Sequence, residues 1–302
     1  MSFFKRDFSK AGPGVPKDLP RKKGAARFFE IIAREYRDLM KVNILFFLCI
    51  LPSITFFFLG LLGFFEFGLM ISILAAYPVG GALTASFFCI TRMLRDDPGF
   101  LWDDFKRKFL ESLRQAGLAG VLTVTFLYTQ VFLFWLPLLA DWAVAGSAWI
   151  IGGFILFLLF SMIIPYVFMH YAYIGLSTFK IVKNSTLIAL SNPLRSFMGA
   201  ISGLLPWIAL FMFLPASSIF LPLIPFFVFV LSWLLSLMWV WPVFDKFFAI
   251  EEALIKRQKE KYETSESSEP AASEPESSES ESSEPDASES ESSEPDASEL
   301  EN

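Results

Sequence analysis

Long stretches without charge alternate with short charged segments along this chain. Several windows of about twenty residues hold no Lys or Arg and at most one acid. A helix of that length crosses a hydrocarbon core of roughly 30 Å. The pattern predicts an all-α, polytopic membrane protein of about six transmembrane helices, placed at 43–62, 68–91, 118–140, 149–171, 200–214 and 223–244.

The last two predicted spans come from one apolar run, 199–248, which is too long for a single crossing. Pro215, Pro222 and Pro225 lie in its middle. Proline removes a backbone donor and favours a turn or a helix start, so we divide the run there.

An amphipathic segment precedes the first span. In 24–41, Phe28, Ile31, Ile32 and Leu39 recur at helical spacing with charged residues between them. Two interpretations stay open. The segment is either a short helix lying on the inner leaflet or a cytosolic extension of the first span.

A second amphipathic segment lies between the second and third spans, at 92–116. Its apolar residues Trp102, Phe105, Phe109 and Leu113 are three or four positions apart. Acids come early and bases late, which suits the helix dipole. We predict an interfacial helix with its bases toward anionic lipid head groups.

The positions of Lys and Arg indicate the orientation. Eleven precede the first span, six lie between the second and third, three between the fourth and fifth, and five follow the sixth. The remaining three loops have none. Because basic residues are retained on the cytoplasmic side, we predict that both termini are cytoplasmic.

Charge and composition add a tail to this picture. The net charge of −6 averages a basic body with 263–302, which holds 15 acids, 14 serines and neither Lys nor Arg. Such a segment cannot bury enough apolar surface to fold, so we predict a disordered acidic C-terminal tail. The predicted organisation is a basic N-terminal segment with an interfacial helix (1–42), a transmembrane helical domain (43–250), a short charged helix end (251–262) and the tail (263–302).

Few residues suggest chemistry. The acid pairs Asp96–Asp97 and Asp103–Asp104 resemble parts of a metal site, but neighbouring residues point apart on a helix, which favours capping and a solvated face. His170 is the only histidine. A single histidine excludes a two-histidine metal site within one chain. It is either a packed residue near the membrane surface or a ligand or proton carrier.

A helix break in the second span raises the possibility of a transport site. Pro78, Gly80 and Gly81 interrupt the apolar run, and Gln130 is a polar residue inside the third span. Broken helices build binding sites in transporters, but they also kink helices and allow close packing. Nucleotide-loop, dinucleotide, zinc-protease and serine-hydrolase motifs are absent, so we predict no enzymatic activity and no cofactor.

Two basic segments predict a partner-binding face at the cytoplasmic side, in addition to contact with the lipid bilayer. The residues proposed for this face are Trp102, Lys106, Arg107, Lys108, Lys180, Lys183 and Arg195. We expect a membrane-protein partner and no nucleic acid.

Three stretches of the chain resemble a known family. NILFFLCILPSITF at 43–56, the stretch 80–116, and FKIVKNSTLIALSNPLRSF at 179–197 are similar to the YesL-like family of bacterial membrane proteins. The run between Thr55 and Gly80 and the acidic tail depart from that pattern. The resemblance implies a location in the plasma membrane of a bacterium and an accessory role, for example in carbohydrate uptake. It provides no catalytic residues to assign, because the activity of the family is not established. The alternative is a small transporter or channel subunit with a site near Pro78 and His170.

Overall fold

The computed structural model describes residues 22, 24–97, 99–139, 145–213, 227–256 and 260. For 134–139, 145–147, 211 and 213 only the backbone is described. The predicted tail and residues 1–21 lie outside the described residues. The chain divides into two units, Met1–Glu252 and Ala253–Asn302. In the second unit the described residues 253–256 and 260 are helical.

The first unit is built from eight principal helices, and the described residues contain no strand. This confirms the predicted all-α class. The helices are α1 (Ala25–Leu61), α2 (Gly68–Leu74), α3 (Tyr77–Arg95), α4 (Leu101–Leu139), α5 (Ala145–Tyr173), α6 (Thr178–Ser191), α7 (Pro193–Phe213) and α8 (Phe229–Phe248).

Among the residues that the structure describes, four helices, α1, α4, α5 and α8, are long and apolar enough to cross a membrane. The pair α2–α3, bent by 41°, adds a fifth if it counts as one span. The polytopic membrane architecture is therefore confirmed, with four or five such helices where the sequence predicts about six. The fifth predicted crossing, 200–214, coincides with most of α7, which does not meet the same criteria over its described residues.

The amphipathic segments are continuous with the spans that follow them. α1 has 37 residues and α4 has 39. At 1.5 Å per residue each is about 55–60 Å long, roughly twice the thickness of a hydrocarbon core. Within 92–116, residues 101–116 thus form the start of α4 and not a helix of their own, and their interfacial position stays a prediction. For 24–41 the structure favours an extension of the first span, with non-helical dihedral angles at Glu35. Most of each apolar stripe packs against the protein's own core: Ile31, Leu39 and Phe105 are buried, whereas Trp102 stays exposed.

The break in the second predicted span precedes Pro78, which stands in the first turn of α3. There its missing amide costs no helical hydrogen bond. Just beyond it, α3 meets α4 at Gly80 and Gly120. A Cβ on Gly80 would lie 1.9 Å from the carbonyl oxygen of Ala116, and one on Gly120 would lie 2.2 Å from the nitrogen of Gly80. The glycines therefore allow the two backbones to touch.

The helix α8 packs against α1, α3, α5 and α7. Its Phe229 and Trp233 rings contact Phe46 of α1, at centroid distances of 5.0 and 4.5 Å. The buried Asn43 accepts a hydrogen bond of 2.8 Å from the amide of Val230. That amide is in the first turn of α8, where helix donors have no partner within the helix. A side chain of α1 thus caps α8 across the core.

Candidate functional site

The start of α1, the end of α3 and the start of α4 meet at what we call the charged end. Asp96 terminates α3 in a left-handed conformation, with φ 62°. Its carboxylate pairs with Arg27 at 2.6 Å and with Arg34 at 2.5 Å. Burial alone would raise the pKa of Asp96, but hydrogen bonds and charge from the two arginines hold that pKa below its ordinary value.

A second ion-pair group joins α3 to α4. Arg92 pairs with Asp104, which also pairs with Arg107 at 2.9 Å. The Arg92 side chain is 9% exposed and that of Asp104 18%. Removing one member of such a pair leaves an uncompensated buried charge, which is far costlier than losing a surface ion pair.

Arg95 ties the same end to α5 and α8. Its guanidinium lies 5.5 Å from the ring centre of Tyr173 and 5.3 Å from that of Trp241. It also pairs with Asp97 at 2.7 Å. The Tyr173 hydroxyl is 2.5 Å from Thr91 Oγ1. This cation between two aromatic rings fixes the relative positions of three helices.

The predicted acid pairs therefore behave partly as expected. The members of each pair point apart: Asp104 faces Arg92, whereas Asp103 is exposed. Asp96 does cap α3, but three of the four acids are engaged with arginines, so the predicted solvated face applies to Asp103 alone. Over the described residues, no group of three His, Cys, Asp or Glu side chains is placed to hold a metal ion.

A polar cleft opens beside the charged end, between α1 and the α3–α4 turn. Its charged lining residues are Arg34, Glu35, Asp38, Arg92, Asp96 and Asp97. Each of the six is already in an ion pair within the chain. A charged ligand would have to displace those internal partners, so the cleft is a poor candidate for a binding site.

In the first segment predicted to bind a partner, the helical repeat of α4 exposes some side chains and packs others against α3. Trp102 is 60% exposed, and Lys106 and Arg107 are also exposed. Lys108 differs. Its ammonium lies 5.5 Å from the ring centre of Phe88 on α3, and the side chain is only 20% exposed. The surface formed by Trp102, Lys106 and Arg107, called here the α4 surface, faces outward without Lys108.

The second segment presents its bases outward as well. Lys180 and Lys183 on α6 and Arg195 on α7 are exposed, and no described carboxylate forms an ion pair with them. Residues 142–244 contain no Asp or Glu at all. Residues 142–244 therefore supply no carboxylate that could neutralise these three bases.

His170 is fully buried between α5, α6 and α8. Its Nδ1 lies 2.8 Å from the carbonyl oxygen of Tyr166 and 3.0 Å from Ser185 Oγ. The ring is edge-on to Phe244 and Phe248, each at 5.1 Å. Its Nε2 has no hydrogen-bond partner among the described residues. The surroundings are those of a packed residue that also fastens α6 to α5.

The residues considered for a transport site lie in separate interfaces. Gly80 and Gly81 face α4, at Ala116 and Leu113 respectively. His170 faces α6 and α8 instead. Gln130 is 3% exposed, and both polar atoms of its amide lack a partner among the described residues. The structure does not bring the helix break and the histidine together.

Sequence reasoning missed the buried arginines. Arg27, Arg92 and Arg95 are 5–7% exposed, although charged side chains are almost never fully buried unless paired. One signal was present, since Arg92 and Arg95 end an apolar helix immediately before Asp96 and Asp97. The contribution of Arg27, 69 residues before Asp96 in the chain, had no local signal.

Comparison of the chain with family models, with characterised proteins and with solved structures finds no match. The resemblance to the YesL-like family therefore stays a prediction, and function has to be argued from the site itself.

Proposed function

We propose that this protein is a non-enzymatic accessory or regulatory component of the bacterial cytoplasmic membrane, which docks a membrane-protein partner at its cytoplasmic face. The observation that carries the proposal is the α4 surface. Tryptophan and arginine are enriched at protein interfaces, and here Trp102 and Arg107 are exposed on one helix beside Lys106.

The segregation of charges on α4 supports a role outside the chain. Asp104 and Lys108 turn toward α3, whereas Trp102 and Lys106 turn away from it. Arg107 is exposed as well, although it also pairs with Asp104. Bases needed only for stability would be expected among the inward set. Outward bases steer an acidic partner, over a range limited to roughly 8–10 Å by physiological salt.

The kind of membrane system is suggested by sequence alone. The resemblance to YesL-like proteins points to carbohydrate uptake, and the geometry is neutral on this question. The partner is therefore defined here by its chemistry, as a membrane protein with an acidic cytoplasmic patch beside an apolar one.

Photo-crosslinking in cells tests the proposal, with a light-activated amino acid in place of Trp102. We expect one dominant crosslinked membrane protein. Its recovery should fall several-fold when Lys106→Gln and Arg107→Gln are combined. In isolated membranes, the yield should also fall as salt is raised before illumination.

The matched control combines Arg37→Gln with Lys41→Gln, which removes the same charge from two exposed bases of α1. This control should leave recovery unchanged. Equal loss in both double variants would indicate general electrostatics, and no loss in either would contradict the assigned surface.

The rival function is a small transporter or channel subunit, and one observation favours it. Gln130 and His170 keep buried polar atoms without partners among the described residues, and such groups mark functional positions in membranes. Purified protein in liposomes distinguishes the two. We expect no solute movement above that of empty liposomes, and transport of a sugar or an ion by the protein alone would replace the accessory role.

A further inference from the structure

The helix α6 is too short to cross a bilayer. Its 14 residues span about 21 Å, against roughly 30 Å of hydrocarbon. It is nevertheless firmly attached, because Ile181, Ser185 and Ile188 are buried. The Ser185 hydroxyl reaches His170 of α5 at 3.0 Å.

The opposite face of α6 is also apolar. Phe179 is 80% exposed, Leu187 57% and Leu190 58%. The exposed stripe continues along α7 at Leu194, Phe197, Ile201, Leu205, Ile208 and Met212. A water-exposed surface rarely carries an apolar patch of this extent, and in a chain with several spanning helices the available cover is the bilayer.

Charge identifies the lipid. Lys180 and Lys183 lie one turn apart near the start of α6, and Arg195 lies near the start of α7. All three are exposed next to apolar neighbours, so their long side chains can keep the charge at the membrane surface. Since 142–244 supplies no acid, the neutralising groups have to come from outside this part of the chain.

We infer that α6 and the first turn of α7 lie in the cytoplasmic leaflet, where Lys180, Lys183 and Arg195 bind the phosphate groups of anionic phospholipids. This assigns to lipid a cluster that the sequence analysis assigned to a protein partner. The α4 surface is still proposed to bind a protein partner. The two proposals involve different residues, so either can be disproved without the other.

The first test measures depth in the membrane. The full chain carrying Leu187→Cys is labelled with a fluorescent maleimide and placed in nanodiscs of phosphatidylcholine and phosphatidylglycerol. The unsubstituted chain, with its buried Cys89 and half-buried Cys49, gives the background. A label on Glu111→Cys, an exposed position of α4, is the control.

We expect quenchers attached to lipid chains to quench the label at Leu187 and aqueous iodide to leave it unaffected, with the reverse at Glu111. Quenching by iodide at Leu187 would overturn the inference. So would protection from both quenchers, which would indicate a covering protein.

The second test measures lipid selectivity by counting the phospholipids that remain bound in native mass spectrometry. Lys180→Gln combined with Lys183→Gln should lower the preference for phosphatidylglycerol over phosphatidylcholine by about fivefold per base. Lys106→Gln combined with Arg107→Gln should leave it unchanged. An equal fall in both double variants, or no fall in the first, would overturn the assignment.

Discussion

The α1–α4 side of the molecule and the α6–α7 side use their bases in different ways. At the charged end, Arg92 and Arg95 are 7% and 5% exposed and paired with acids. On the α6–α7 side, Lys180 and Lys183 are exposed on a largely apolar face, in a part of the chain without acids. The first arrangement stabilises the fold, and the second leaves charge available to something outside it. A count of basic residues therefore does not show which of them stabilise the fold and which are available to a partner.

The largest expected effect comes from breaking the buried pair of the charged end. Asp104→Asn leaves Arg92 without its counter-charge, so we expect a loss of about 3 kcal/mol of unfolding free energy. Unfolding in detergent, followed by circular dichroism during titration with a denaturing surfactant, measures it.

The control is the neighbouring Asp103→Asn, which removes an equal charge from an exposed position. It should stay within about 0.5 kcal/mol of the original protein. Similar losses of unfolding free energy in both variants would mean that the two acids act through net charge. Such a result would contradict a special role for the buried pair.

Acid should weaken the charged end selectively. Because the pKa of Asp96 is lowered from 3.8, its contribution is fully present above that pH and is lost as the pH falls through the lowered value. We expect Asp96→Asn to lower the thermal midpoint by several degrees at neutral pH, and the difference from the original protein to shrink below about pH 4. A difference that persists undiminished at lower pH would contradict this assignment.

A smaller effect is expected where α6 is fastened to α5. Ser185→Ala removes a buried hydroxyl 3.0 Å from His170, which should cost about 1 kcal/mol. Ser191→Ala on the same helix, at an exposed position, is the matched control and should cost nothing measurable. Amide exchange across 178–191 should quicken only in the first variant.

The smallest effect on stability is expected from the outward bases. Lys180→Gln with Lys183→Gln should change the unfolding free energy in detergent by no more than about 0.5 kcal/mol. The same change should matter in anionic membranes, where the head groups are present. A large loss of unfolding free energy in detergent would show that these lysines stabilise the fold, as Arg92 does. The two sides of the molecule would then not differ in how they use their bases.

The sequence located most elements but not how they join. The apolar runs that contain Leu48, Leu127 and Ile155 all lie in helices. The amphipathic stripe of Phe105 and Phe109 was interpreted as part of an interfacial helix, whereas Phe105 is buried and residues 101–116 belong to α4. Periodicity shows that one face is apolar, but it does not show what covers that face.

For the candidate site, local pattern was a partial guide. Trp102, Lys106 and Arg107 are outward as predicted, but Lys108 packs on Phe88. The difference between adjacent bases follows from the position of α3, which the sequence of α4 does not contain.

By itself the sequence determined that this is a helical membrane protein, because uncharged runs of about twenty residues have no other stable environment. It also set the strong asymmetry of charge along the chain. Only the tertiary structure decided which charges are available. Arg27 meets Asp96 from 69 residues away, and Asn43 caps α8 from 187 residues away. Contacts between distant segments depend on how whole helices pack, and no local pattern of residues encodes that.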